Sequence, residues 1–175
     1  IELKDIETDN LNCTSASGDI IVNKSVLGNA QLKIGSGDLE IMDAEIDMLE
    51  IVCGSGSVEI DGKEIKCIEI KVGSGDVECR TASEEIRCKT GSGDVEIEAE
   101  QQCDVLVGTG SGDIDIKMKE CTGAEISIVT VSGDAELTWK GEELSLPKKF
   151  RKIFESGGCR IGAKTASGDI SIECE

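Results

Sequence analysis

The sequence predicts an all-β fold, a single-chain parallel β-solenoid, and three observations carry that prediction. The tripeptide Ser-Gly-Asp recurs from Ser17, Ser36, Ser55, Ser74, Ser92, Ser111, Ser132 and Ser167, with Ser57 in place of the acid in the third copy. Apolar residues stay in phase with it along the whole chain. The composition is rich in strand formers and turn formers, with 22 Ile, 11 Val and 21 Gly but a single Pro among 175 residues.

Each repeat yields two strands. Before the corner, Leu11, Ala30, Leu49, Ile68, Ile86, Val105, Ile126 and Ile161 form one apolar column, and Cys13, Leu32, Ile51, Ile70, Cys88, Val107, Ile128 and Ala163 form a second two residues on. After the corner, Ile20, Leu39, Val58, Val77, Val95, Ile114, Ala135 and Ile170 begin a third column. Val22, Ile41, Ile60, Cys79, Ile97, Ile116, Leu137 and Ile172 form the fourth. Alternation of this kind marks strands with one buried face. Leu27, Ile46 and Ile65 mark a weaker third side in the early repeats. One repeat cannot bury its own apolar face, so stacking each on the next at roughly 4.8 Å is expected to pair the strands and close a common core. About eight coils of about 19 residues are expected, right-handed because parallel crossovers nearly always are. Residues 1–175 then form one solenoid domain. Ile1 and Leu3 fall in the columns that follow a Ser-Gly-Asp, so the sequence reads as a fragment or processed chain that begins within a coil.

The copies are 18 to 21 residues apart until Ser132, after which the next begins 35 residues later at Ser167. The excursion, residues 139–158, holds all three aromatics (Trp139, Phe150 and Phe154), Pro147, and the basic residues Lys148, Lys149, Arg151 and Lys152. Pro147 followed by Phe150, Ile153 and Phe154 has helical spacing, and a short amphipathic helix is expected there. Its apolar face is expected to cover a side or the open end of the stack. The alternative is a recognition site for a partner or a membrane surface, made of the same aromatics beside the cations.

Charge and composition exclude several functions. Eighteen Lys plus Arg against 36 Asp plus Glu give a net charge of −18, which repels the phosphates of nucleic acid and anionic lipid. With no His, imidazole bases, imidazole metal ligands and Ser-His-Asp relays are absent. No apolar run reaches the length of about 18 residues needed to span a bilayer.

With the corners followed by Gly37-Asp38-Leu39-Glu40-Ile41, Gly93-Asp94-Val95-Glu96-Ile97 and Gly112-Asp113-Ile114-Asp115-Ile116, the chain resembles a bacterial family of predicted adhesins. Its members carry repeated SGD[VIL]xI units in a β-solenoid and mostly lack an assigned biochemical role. The resemblance covers essentially the full chain and implies a protein of the cell envelope or surface. It brings no catalytic residues with it.

The residues themselves offer several candidates. Asp19, Asp38, Asp76, Asp94, Asp113, Asp134 and Asp169 form a ladder that could be read as a calcium site, but the spacing is unlike that of nonapeptide β-rolls. Capping of corner N–H groups is the simpler expectation, with no cofactor. Glu40, Glu59, Glu78, Glu96, Asp115 and Glu136 form an outward acidic column, a solvated face or a docking face for a basic partner. Lys33, Lys71, Lys89 and Lys164 lie on the outside of the other strand and face a different side. Thr90, Thr109, Thr130 and Thr165 could order water as a ladder, though strand propensity explains them more simply. The nine Cys follow no metal or redox spacing and read mostly as small buried hydrophobes, with Cys103 and Cys121 a candidate pair. Their scatter fits a reducing setting and leaves a cytoplasmic location open against the envelope.

The function expected from sequence is a non-catalytic binding module, adhesin-like or a sensor scaffold. Its binding residues are expected among Trp139, Lys148, Lys149, Phe150, Arg151, Phe154, Glu78, Glu96 and Asp115. Its partner would be a protein, peptide or glycan, with membrane contact only through an absent anchor or the excursion. The alternatives are a β-helix enzyme acting on acidic polysaccharide with carboxylates such as Glu96 and Asp115, or a self-assembling spacer.

Overall fold

A computed structural model describes residues 1–155 and 157–175 of the chain. It shows stacked strand pairs in which the corner tripeptides and the apolar columns coincide from coil to coil. The strands before the corner are β2 (Glu7–Ser17), β4 (Val26–Ser36), β6 (Glu45–Ser55), the second half of β7 (Val58–Ser74), β9 (Glu85–Ser92), β11 (Asp104–Ser111), β13 (Ala124–Ser132) and β17 (Cys159–Ser167). Those after it are β3 (Ile20–Asn23), β5 (Leu39–Met42), the first half of β7, β8 (Val77–Ala82), β10 (Val95–Ala99), β12 (Ile114–Met118), β14 (Ala135–Trp139) and β18 (Ile170–Cys174). These make eight two-strand coils, with the short β1 (Glu2–Lys4) laid beside β3. The four predicted columns line the interior, with Leu32, Ile51, Ile60, Ile86 and Ile116 shut from solvent. Leu27, Ile46 and Ile65 are buried on the third side. Each such side chain contributes roughly 1.5–3 kcal/mol by leaving water.

The corner residues have different tasks. At Gly93 the backbone has φ of 130°, and a Cβ would stand 2.1 Å from the carbonyl oxygen of Gly75 in the coil below. Only glycine lets neighbouring corners approach this closely. The aspartates do cap backbone N–H groups, but across coils: the Oδ1 atoms of Asp19, Asp94, Asp113 and Asp169 accept from the main-chain N–H of Asp38, Asp113, Asp169 and Asp134 at 2.7–2.9 Å. Asp38 does the same for Ser57. The threonines face inward, buried to 7% exposure or less, so they form no water-ordering face. Thr109 and Thr90 donate to the carbonyls of Ser111 and Ser92 at the corner. All nine cysteines are free and eight are buried; Cys67 is half-buried, and Cys103 and Cys121 are not joined.

Two expectations fail at the C-terminal end. The coils do not stack in chain order. The last coil, β17–β18, lies between the coil of β11–β12 and the coil of β13–β14: β17 pairs in parallel with both β11 and β13, and β18 with both β12 and β14. The excursion, moreover, is no helix. It forms β15 (Glu142–Leu146), antiparallel to β14, and β16 (Lys149–Phe154), antiparallel to β13. The physical reason is that β13 and β14 end the stack with unpaired N–H and C=O groups, which a strand satisfies and a helix leaves bare. Lys140 and Gly141, with φ of 48° and 82°, make the tight two-residue turn that sends the chain back antiparallel. Phe150 and Phe154 are four residues apart, a spacing that puts two side chains on one face of a strand as well as of a helix. Both turn toward the core in register with Ile128 and Ala124.

Candidate functional site: a cationic face

The sheet of β9, β11, β17, β13 and β16 has an outer surface made by alternate residues, because each inward column forces its neighbours outward. Two adjacent outward columns there carry no acid. The pairing gives five successive rungs: Arg87 and Lys89 on β9, Leu106 and Gly108 on β11, Gly162 and Lys164 on β17, Ser127 and Val129 on β13, Arg151 and Lys149 on β16. Cationic and neutral rungs alternate. In a chain of net charge −18 this is a local inversion of sign.

The third outward column holds the compensating acids, each spent on an arginine. Arg87 pairs with Glu85 at 2.5 Å, Arg160 with Asp104 at 2.7 Å, and Arg151 with Glu125. Burial alone would raise the Asp104 carboxyl, but the guanidinium and the main-chain N–H of Arg160 outweigh it and hold it below its ordinary 3.8. Lys89, Lys149 and Lys164 make no ion pair among the described residues, so their charge is available. The face ends at β7, where Lys71 is paired with Glu69 at 2.7 Å.

Around the middle cationic rung lies a shallow, mostly apolar notch of about 330 Å³ lined by Leu106, Gly108, Gly162, Lys164, Ser127 and Val129. Gly162 is bare because Leu106 occupies its place: a Cβ there would stand 2.8 Å from Leu106 Cδ2. Gly108 has no such reason. A Cβ on it would meet nothing closer than the Lys164 carbonyl oxygen at 3.9 Å. Glycine in a strand interior costs roughly 0.5–1 kcal/mol against alanine and often marks a close approach by another molecule.

The sequence-predicted residues are distributed over two sheets. Lys149 and Arg151 belong to the cationic face. Trp139 and Phe154 are instead buried, their rings stacked at 4.5 Å, with Phe150 tilted against Phe154 at 6.5 Å. They plug the end of the core. Lys148 donates to the Val131 carbonyl at 3.3 Å. Glu78, Glu96 and Asp115 stack in register on the other sheet, in the column shared with Glu40 and Glu59. The basic residues beside that column pair with other acids: Arg80 meets Glu98 at 2.7 Å, and Lys117 meets Glu175 at 3.0 Å. Sequence reasoning missed Arg87, Leu106, Gly108 and Gly162. The available signal was an outward glycine pair flanked by lysines, visible only with the columns aligned.

A larger concavity, about 730 Å³, lies on the third side of the first coils among Glu7, Asp9, Glu45, Asp47 and Glu64. Lys66 reaches across it to Asp47 at 2.6 Å. Among the described residues no group of three or more Cys, Asp or Glu is arranged to hold a metal ion.

The architecture and a family comparison agree. The Toastrack DUF4097 family model matches residues 1–173. The chain belongs to that family. No curated protein and no solved structure matches it. The Toastrack fold in this chain is therefore the stacked β-solenoid described above, and the family description names no reaction.

Proposed function

We propose that this Toastrack domain is a non-catalytic binding module, adhesin-like in kind and acting at the cell envelope, whose cationic face receives an anionic partner. The observation that carries the reading is the pair of acid-free columns that runs across five strands from Arg87 to Lys149 on a chain with twice as many acids as bases. The paired sheet fixes the backbone beneath those charges, so the ordering cost on contact is confined to the lysine side chains. Long-range repulsion from the rest of the chain slows approach but is screened within about 10 Å at 0.1 M salt.

The test is titration of the full chain with dextran sulfate at two salt concentrations. Saturable, salt-weakened binding that is lost in a Lys89→Gln, Lys149→Gln, Lys164→Gln variant of unchanged thermal stability is the expected result. Equal binding by that variant, or none by the wild type, overturns the reading.

A further inference from the structure

The spacing of the rungs specifies the partner further. Resting on the proposed anionic-partner reading, we infer that the cationic face is a site for a linear polysaccharide carrying one anionic group on every second sugar, laid along the stacking axis. Three features lead there.

The first is the period of charge. Lys89, Lys164 and Lys149 occupy one column, separated by Gly108 and then Val129. Consecutive lysines are thus two strand spacings apart, roughly 9.6 Å. A polymer with a charge on every unit meets a neutral rung at every other step. One with a charge on alternate units meets a cation each time. A nucleic acid strand, with a phosphate about every 3.4 Å, is far too dense in charge.

The second is the nature of the neutral rungs. Gly108 leaves the main chain bare without a steric need for it, beside Leu106 and Val129. A sugar ring has an apolar C–H face that can lie on such a floor while its hydroxyls stay at the wet rim. The shallow notch of about 330 Å³ has room for a ring in contact.

The third is the lack of a device for a peptide along the middle of the face. Peptides dock on a free strand edge, in a helix-sized groove or in aromatic-lined slots. Strands β11, β17 and β13 are paired on both sides, the free edge of β16 lies at the rim of the face, and the aromatics are packed at the cap. A peptide lying here would press its amides against Gly and Val rungs that offer them no partner.

The experiment measures the affinity of the full chain for three probes at equal charge concentration: hyaluronan oligosaccharide, with a carboxylate on every second sugar; oligogalacturonate, with one on every sugar; and poly-L-glutamate. Hyaluronan is expected to bind tightest, and each single Lys→Gln change at Lys89, Lys149 or Lys164 to weaken it about two- to fivefold. Gly108→Val fills the notch without removing charge, and its Cβ has open space in the fold. It is expected to weaken hyaluronan more than poly-L-glutamate without lowering the thermal midpoint. Equal or tighter binding of oligogalacturonate or poly-L-glutamate overturns the spacing and glycan inference and leaves the anionic-partner reading standing. Failure of all three probes and of dextran sulfate overturns both.

Discussion

Asp104 holds Arg160 by both ends of the residue, although 56 positions separate them: the main-chain N–H of Arg160 donates to Oδ1 at 2.8 Å, and its guanidinium to Oδ2 at 2.7 and 3.0 Å. The contact fixes the last coil onto β11 at its first strand. Since the Asp104 carboxyl is held below its ordinary 3.8, its stabilising contribution is complete above that pH and disappears as pH falls through the lower, folded value. Asp104→Asn is therefore expected to lower the thermal midpoint at pH 7, with the gap from wild type closing below pH 3.8. A gap that does not narrow at all as the pH falls below 3.8 argues against the ion pair.

The last coil is also expected to be the best-protected part of the C-terminal region. Ile161, Ala163 and Ile172 are buried between two neighbouring coils, whereas β15 and β16 each pair on one side only. Amide hydrogen exchange should be slower in β17 and β18 than in β15 and β16, despite the position of β18 at the chain end. Faster exchange in β18 than in β15 contradicts the insertion.

Two glycines should respond oppositely to alanine. Gly93→Ala forces a Cβ to 2.1 Å from Gly75 oxygen at a φ of 130°. The backbone strain alone is about 1–3 kcal/mol, before the coils are pushed apart. Gly108→Ala meets open space and is expected to stabilise by about 0.5–1 kcal/mol. Urea unfolding of both variants measures this, and similar effects at the two sites would be inconsistent with the stacked-corner geometry.

The aspartate ladder separates hydrogen bonding from charge. Asp94→Ala leaves the exposed Asp113 N–H without its 2.8 Å acceptor, and a loss of about 0.5–1.5 kcal/mol is expected. Asp94→Asn keeps an oxygen acceptor and removes one charge from a like-charged stack, so its stability should equal or exceed wild type, most clearly at low salt. Equal loss in both variants implies that the negative charge itself is needed.

Thiol reactivity checks the interior. Burial pushes the Cys88 and Cys103 thiols up to about 12, and with Cys67 alone half-buried, one fast-reacting group is expected in the native chain. All nine should react with Ellman's reagent in guanidinium chloride. Several fast native thiols would show the core to be open.

Most of the fold was legible because strand alternation and a fixed-length repeat are both local signals, and every column residue from Ile20 to Ile172 in the post-corner strands is where they put it. The excursion misled because Phe150 and Phe154, four apart, satisfy a period of two as well as one near 3.6, while the turn at Lys140 and Gly141 depends on backbone angles that composition only hints at. In the sequence Trp139 and Phe154 read as a cover for the stack, with a docking patch as the alternative. Their burial was settled by the need to close the end of an apolar stack.

By itself the sequence determined the coil length, the inward columns, the glycine corners and the excess of acid, since each follows from residue order within one repeat. Only the tertiary structure decided which coils are neighbours. In chain order the neutral rungs of Leu106 with Gly108 and Ser127 with Val129 would lie side by side, and insertion of β17 sets Lys164 between them. The C-terminal coils share the same alternation on both sides of the corner, so local pattern permits either order. The paired strand edges, the Asp104–Arg160 contact and the hairpin cap select the one observed.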